Sequence, residues 1–266
     1  YDTLSEQEKA SLLMQIEETD FSVLDKIAEN KEEQKRGVIS PIKAMTLTES
    51  NEHREEYTKI GLEAIRSGKI GAVLLAGGMG TRLGSDNPKG MYDIGLTRPV
   101  YIFERLLRNL LNVVDNAGTW IHLFIMTSDK NHEATVSFFQ EHDYFSYHQE
   151  YMHFFKQDMA PAATYNGKVY LERRDKLATS PNGNGGWFSS MKNAGLLETI
   201  HQAGIEWLNV FAVDNVLQRI ADPCFIGATI SRNCSCGSKV VRKSDPDEKV
   251  GVMCLEDGHP SIVEYY

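Results

Sequence analysis

Seven residues without a polar side chain, Ile70 to Ala76, run directly into Gly77-Gly78-Met79-Gly80. A run this short and this continuous has the length of a strand buried on both faces, and such a strand needs helices above and below its sheet. The chain after it is built accordingly. Short apolar runs at Ile121–Thr127, Met152–Phe155, Val169–Glu172 and Trp207–Val213 are predicted strands, and amphipathic stretches at Tyr101–Asn112, Asn131–His142 and Gly186–His201 are predicted helices. That alternation predicts an α/β fold with a mostly parallel sheet and right-handed crossovers.

The flanking regions read differently. Residues 1–68 form a predicted N-terminal helical region. Leu12, Leu13 and Ile16, then Phe21, Leu24 and Ile27, recur at helical spacing, with Asp20 placed to cap a second helix. Val38–Thr48 reads as an extended connector, and Glu52–Arg66 as a further helix closed by Ser67-Gly68. Residues 69–266 form the predicted α/β domain. Near its end Lys239–Arg242, Val250–Leu255 and Ser261–Glu264 read as strands of a small appended β piece.

The glycine run carries the chemistry. Backbone N–H groups of a glycine turn can approach phosphate oxygens closely, as an anion nest at the end of a strand. Arg82 and Lys89, in Thr81-Arg82-Leu83-Gly84 and Pro88-Lys89-Gly90, add a planar fork and a mobile point charge. Two other phosphate loops are excluded. A dinucleotide fingerprint from Gly78 needs glycine where Leu83 stands, and a Walker loop needs glycine where Pro88 stands. Asp214 is the first residue past the Trp207–Val213 run, where a carboxylate either holds a metal–phosphate or caps a turn. Pro181-Asn182-Gly183-Asn184-Gly185-Gly186 either hydrogen-bonds a ligand or only starts a helix. The eight histidines show no metal-ligand spacing, and Cys234-Ser235-Cys236 does not match a zinc knuckle, so reduced thiols are expected.

The net charge of −9 argues against a nucleic-acid partner, which needs a basic surface. No apolar run is long enough for a membrane span, and Tyr1-Asp2-Thr3-Leu4 lacks a signal-peptide start. With reduced cysteines, a cytoplasmic location is expected.

Leu74-Leu75-Ala76-Gly77-Gly78-Met79-Gly80-Thr81-Arg82-Leu83-Gly84 followed by Asn87-Pro88-Lys89-Gly90 resembles the sugar-nucleotide pyrophosphorylases. The continuation Met91-Tyr92-Asp93-Ile94-Gly95-Leu96 is similar to their UDP-N-acetylhexosamine branch, and the likeness continues through Phe154–Gln157, Pro181–Gly186, Val213-Asp214-Asn215, Ala221-Asp222-Pro223 and Val263-Glu264-Tyr265. The resemblance implies a Rossmann-like (GT-A-like) nucleotidyltransferase. It would join UTP to a sugar 1-phosphate, N-acetylglucosamine 1-phosphate first among candidates, and release pyrophosphate. It implies nucleotide binding at Leu75, Ala76, Gly77, Gly78, Gln157, Gly183 and Asp214, with Gln157 reading the uracil edge. It implies sugar binding at Asn184 and Glu264, catalysis by Arg82 and Lys89, and Mg²⁺ on Asp214. Family members are longer, so a sugar-phosphate-binding lysine is expected beyond residue 266. UDP-glucose or broad UDP-sugar specificity, or nucleotide-sugar binding without catalysis, are the alternatives. A glycosyltransferase is disfavoured because Asp214-Asn215-Val216 lacks a second aspartate. The oligomeric state stays open.

Overall fold

The computed structural model describes residues 4–22, 24, 36–164 and 166–264. In chain order its strands are β1 (Ile39–Pro41), β2 (Ile70–Leu75), β3 (His122–Thr127), β4 (Met152–Lys156), β5 (Met159–Pro161), β6 (Leu171–Arg173), β7 (Lys176–Leu177), β8 (Thr179–Pro181), β9 (Trp207–Ala212), β10 (Val252–Glu256) and β11 (His259–Val263).

β2, buried along its whole length, forms the spine of a parallel sheet in the order β4-β3-β2-β9. Side chains alternate between the two faces of a strand, and each face of β2 has its own core. Ala72 and Leu74 pack with Leu123 and Ile125 beneath the helix Ile102–Ala117, which contributes Phe103, Leu106, Leu107 and Leu110. Val73 and Leu75 pack with Phe124, Met126 and Phe155 against Met191, Ile200 and Ile205 on the opposite side. Each fully buried leucine or phenylalanine of this kind contributes about 1.5–3 kcal/mol through lost water contact.

The chain steps from β2 to β3 to β4 in one direction and then returns to the other flank of β2 as β9. The strand order therefore reverses beside β2, where open α/β sheets leave a crevice past their carboxyl ends. Ladder bonds carry the register one residue beyond the strands. Ala76 N–H donates to Met126 O (2.8 Å), Gln157 N–H to Thr127 O (2.8 Å) and Val213 N–H to Leu75 O (3.1 Å).

Two helices seal one flank. Arg54–Arg66 crosses Pro223–Ser231 at Gly61 and Gly227. A Cβ at Gly61 would sit 1.9 Å from Pro223 O, and one at Gly227 would sit 1.7 Å from Tyr57 O. Only glycine allows that backbone approach. The helix Glu6–Glu18 starts with a Ser5–Glu8 capping box and packs Leu12 against Leu4 and Leu177. Gln15 on this helix donates to Asp175 O (2.9 Å) and accepts from Leu177 N–H (3.0 Å), standing in for a strand partner.

Several expectations need correction. Val169–Glu172 does not join the parallel sheet; Val169 bridges Ala163, and β6 pairs antiparallel with β7 in an exposed hairpin. Three exposed side chains in β6 supply no second face to bury. Lys239–Arg242 is not a strand. Val241 is 92% exposed, and the segment is held by a side chain instead, Lys239 Nζ to Asp222 Oδ2 at 2.7 Å. The helix expected at Gly186–His201 breaks at Gly195 (φ +76°) into Trp187–Asn193 and Leu196–Gln202. That expected at Glu52–Arg66 is interrupted at His53, while Ile102–Ala117 outruns its expected end. Leu13 and Ile16, expected on an inward helix face, are exposed. Asp20 accepts from Ser22 N–H (2.9 Å), and Ile27 lies outside the described residues. The Val38–Thr48 connector supplies β1, which pairs antiparallel with β10, while β10 and β11 join through Asp257-Gly258, both with positive φ. Among the described residues no helix is long and apolar enough to cross a membrane.

Candidate functional site

Past Ala76 the chain turns through Gly77, Gly78 and Met79 and folds back on itself. Gly80 N–H donates to Asn87 O (2.8 Å) and Lys89 N–H donates to Gly78 O (3.2 Å), so Asn87–Lys89 runs alongside the turn. The backbone N–H groups of Gly77, Gly78 and Met79 donate to no acceptor among the described residues. Three successive backbone donors at a strand end are thus left without a protein acceptor among the described residues, and such groups call for another partner. Arg82 stands next to them on the short 3₁₀ turn Thr81–Leu83, exposed and without a polar partner among the described residues.

The fold-back brings Lys89 to the end of β9, where its ammonium pairs with Asp214 Oδ1. Lys89 is 19% exposed and Asp214 61%. A pair this open contributes about 0–1 kcal/mol, so little free energy opposes its separation. Of the two structural readings of Asp214, turn capping is not what is seen. Leu217 N–H donates to Asn215 Oδ1 (3.3 Å), while the Asp214 carboxylate faces Lys89. Among the described residues no group of three or more His, Cys, Asp or Glu could form a metal cage. A lone, largely exposed carboxylate fits the way Mg²⁺ is usually held, by one or two carboxylates together with substrate phosphates.

Gln157 lies on the other side of the turn. It is 6% exposed, and its side-chain amide has no hydrogen-bond partner among the described residues. Its Nε2 lies 2.6 Å from where a Cβ on Gly77 would be. Asp158 ties the next loop in. Asn182 N–H donates to Asp158 O (3.0 Å), and Asp158 N–H donates to Ser190 Oγ (2.8 Å). The Pro181–Gly186 segment therefore sits beside Gln157. Gly183 there adopts φ +76°, ψ −173°, a backbone region essentially closed to other residues. Asn184 follows it and opens the 3₁₀ turn Asn184–Gly186.

The turn from Leu75 to Gly78, Lys89, Gln157, Gly183 and Asp214 thus gather around the carboxyl edge of the sheet. Glu264 is placed differently. It follows β11 in the antiparallel sheet, with its carboxylate 3.3 Å from where a Cβ on Gly251 would be. It has no hydrogen bond or ion pair with the glycine turn among the described residues.

One residue at this edge escaped the sequence reading. Asn131 stands at the N-terminus of the helix His132–Glu141, where asparagine ordinarily caps the helix. It is fully buried and makes no cap bond. It donates instead to Ala76 O (3.0 Å) and Gly78 O (3.3 Å), and accepts from Ser128 N–H (2.7 Å). Nothing local in the sequence separates this use of asparagine from capping.

A family model described as UTP–glucose-1-phosphate uridylyltransferase matches residues 17–266. UDP-N-acetylglucosamine diphosphorylase 2 of Arabidopsis thaliana is 38% identical over 285 residues, covering 100% of this chain and 57% of that protein. UDP-N-acetylhexosamine pyrophosphorylase-like protein 1 of Mus musculus is 40% identical over 220 residues, covering 80% of this chain and 43% of that protein. The crystal structure of the uridine diphosphate N-acetylglucosamine pyrophosphorylase from Trypanosoma brucei superposes with a TM-score of 0.83 at 30% identity, covering 98% of this chain and 56% of that one. The chain spans about half the length of the curated relatives it matches. The match along nearly the whole chain, on the same α/β fold with a parallel sheet of four strands, places this chain in the UTP–glucose-1-phosphate uridylyltransferase family.

Proposed function

We propose that this chain is the nucleotide-binding part of a cytoplasmic uridylyltransferase that joins UTP to N-acetylglucosamine 1-phosphate and releases pyrophosphate, on a GT-A-like Rossmann core. The observation that carries it is the run of unpaired N–H groups at Gly77–Met79, with Arg82 and Lys89 on its rim. The Arabidopsis and Trypanosoma relatives, named for UDP-N-acetylglucosamine, point to the sugar.

The reaction asks for charge control and alignment rather than covalent chemistry. An oxygen of the sugar 1-phosphate attacks the α-phosphorus of UTP in line, and the bond to the β-phosphate breaks as pyrophosphate leaves. The turn N–H groups and Arg82 would hold the polyphosphate and stabilise the charge on the leaving pyrophosphate. Lys89 would trade Asp214 for phosphate oxygens, since its present pair is weak and its stem flexible. Asp214, so released, would hold Mg²⁺ against the same phosphates. That ion would supply neutralising charge where two polyanions meet. Gln157, buried beside Gly77 with its amide free, can both donate to and accept from a uracil edge. Gly183 and Asn184 would line the nucleoside side of the crevice, with Asn184 and Glu264 reaching the sugar.

The test is pyrophosphate release by full-length protein with UTP and Mg²⁺, comparing N-acetylglucosamine 1-phosphate with glucose 1-phosphate and UTP with ATP. The acetylated sugar and UTP are expected to be preferred. Arg82→Ala and Lys89→Ala are each expected to cut turnover about a hundredfold or more, with an unchanged circular-dichroism spectrum. Full turnover in either variant would remove that residue from the mechanism, and a preference for glucose 1-phosphate would reassign the sugar.

A further inference from the structure

Asn131 has a role that capping does not explain. Its two amide hydrogens point at Ala76 O and Gly78 O, while its oxygen takes the Ser128 N–H. Only one orientation of the amide satisfies all three partners, because both carbonyls need donors and the N–H needs an acceptor. A trans peptide is planar, so its N–H points opposite to its own C=O. The described peptides are all trans. Pulling Ala76 O inward therefore turns the Gly77 N–H outward, and pulling Gly78 O inward turns the Met79 N–H outward. Those are two of the three unpaired donors of the turn. The Lys89 N–H bond to Gly78 O acts in the same sense at 3.2 Å, but Ala76 O has Asn131 as its side-chain donor.

We propose that Asn131 is a positioning residue that fixes the Ala76–Met79 peptides with their N–H groups aimed at the nucleotide's phosphates. It touches no substrate; it acts by holding the reverse side of the peptides that do. This rests on the reading of that turn as a phosphate cradle. Without the amide, the Ala76–Gly77 peptide is free to rotate and present its carbonyl oxygen, which repels a phosphate, while the Gly78–Met79 peptide keeps only the Lys89 N–H.

The experiment measures binding of UTP and of uridine, which carries no phosphate, to full-length wild-type, Asn131→Leu and Asn131→Ser proteins. Leucine keeps the volume and adds no charge; serine is the variant to rely on if leucine does not fold, and a thermal melt reports folding of each. A folded variant is expected to lose UTP affinity about tenfold or more, the size of one hydrogen bond to a charged group, and to keep its uridine affinity. Hydrogen–deuterium exchange across residues 76–82 is expected to quicken in the variants. Equal loss for UTP and uridine would indicate general disruption and overturn the assignment, as would unchanged UTP binding. Wild-type protein that bound no UTP would instead sink the uridylyltransferase reading, and this one with it.

Discussion

Glycine stands at position 78 for no reason that the chain's own packing supplies. Its φ lies outside the left-handed range, and a Cβ there would meet no atom within 4 Å among the described residues, its two chain neighbours aside. The space is open, as required where backbone must come close to a ligand. Gly78→Val is therefore expected to leave the melting temperature nearly unchanged while abolishing UTP binding, which calorimetry on folded protein would show. Gly183 is the converse case. Its surroundings are just as open, but its backbone angles are not available to alanine. Gly183→Ala is expected to cost about 1–3 kcal/mol in strain, measurable by urea unfolding, or to shift the loop and weaken binding instead. The glycine turn and the cations near it were legible in the sequence as a candidate site because Gly77, Gly78, Arg82 and Lys89 lie within thirteen consecutive residues. Asn131 was not legible, because a helix-starting asparagine looks the same whether it caps its helix or reaches across to a neighbouring loop. Asp214 was legible as a candidate only; its pairing with Lys89 bridges 125 residues and exists only once β2 and β9 lie side by side.

Among the elements, the strands with two faces to bury were the readable ones. Ile70–Leu75 and His122–Thr127 are almost wholly apolar, and each pairs on both edges, so burial and pattern agree. Val169–Glu172 and Lys239–Arg242 also hold short apolar stretches, though flanked by charge, but no edge of the parallel sheet receives them, which a short window cannot reveal. The Gly195 break was readable in hindsight from the glycine alone, yet the hydrophobic period continues through it. Packing sets the energetics here. Phe103→Ala is expected to cost about 3–5 kcal/mol, the usual penalty for emptying a fully buried aromatic site. At the helix crossing, Gly227→Val would drive a side chain into the Tyr57 carbonyl. The expected loss is about 1–3 kcal/mol or more, read as a lower denaturation midpoint.

At the scale of the whole molecule, acid acts through a pair of histidines away from the proposed site. His122 on β3 and His153 on the edge strand β4 face each other, with Nδ1 and Nε2 2.9 Å apart, and His153 stacks on Phe124. Burial, and then the neighbouring His122, pushes His153 down to about 4; burial also lowers His122. An unfolded histidine titrates near 6.5. The folded state therefore takes up protons later than the unfolded state as pH falls. Stability is complete above about pH 6.5 and declines toward pH 4. Both rings keep some solvent contact, so the decline is gradual. The melting temperature is expected to fall between pH 7 and 4.5, and to fall less steeply in His153→Phe; identical slopes would refute the assignment. The pairing of β1 with β10 has a consequence for biosynthesis. Ile39–Pro41 leaves the ribosome long before its partner Val252–Glu256 has been made. At the usual pace of translation the wait lasts roughly ten to forty seconds. Until then the early strand is an unmatched edge, and the newborn polypeptide can close that sheet only in one late, long-range event.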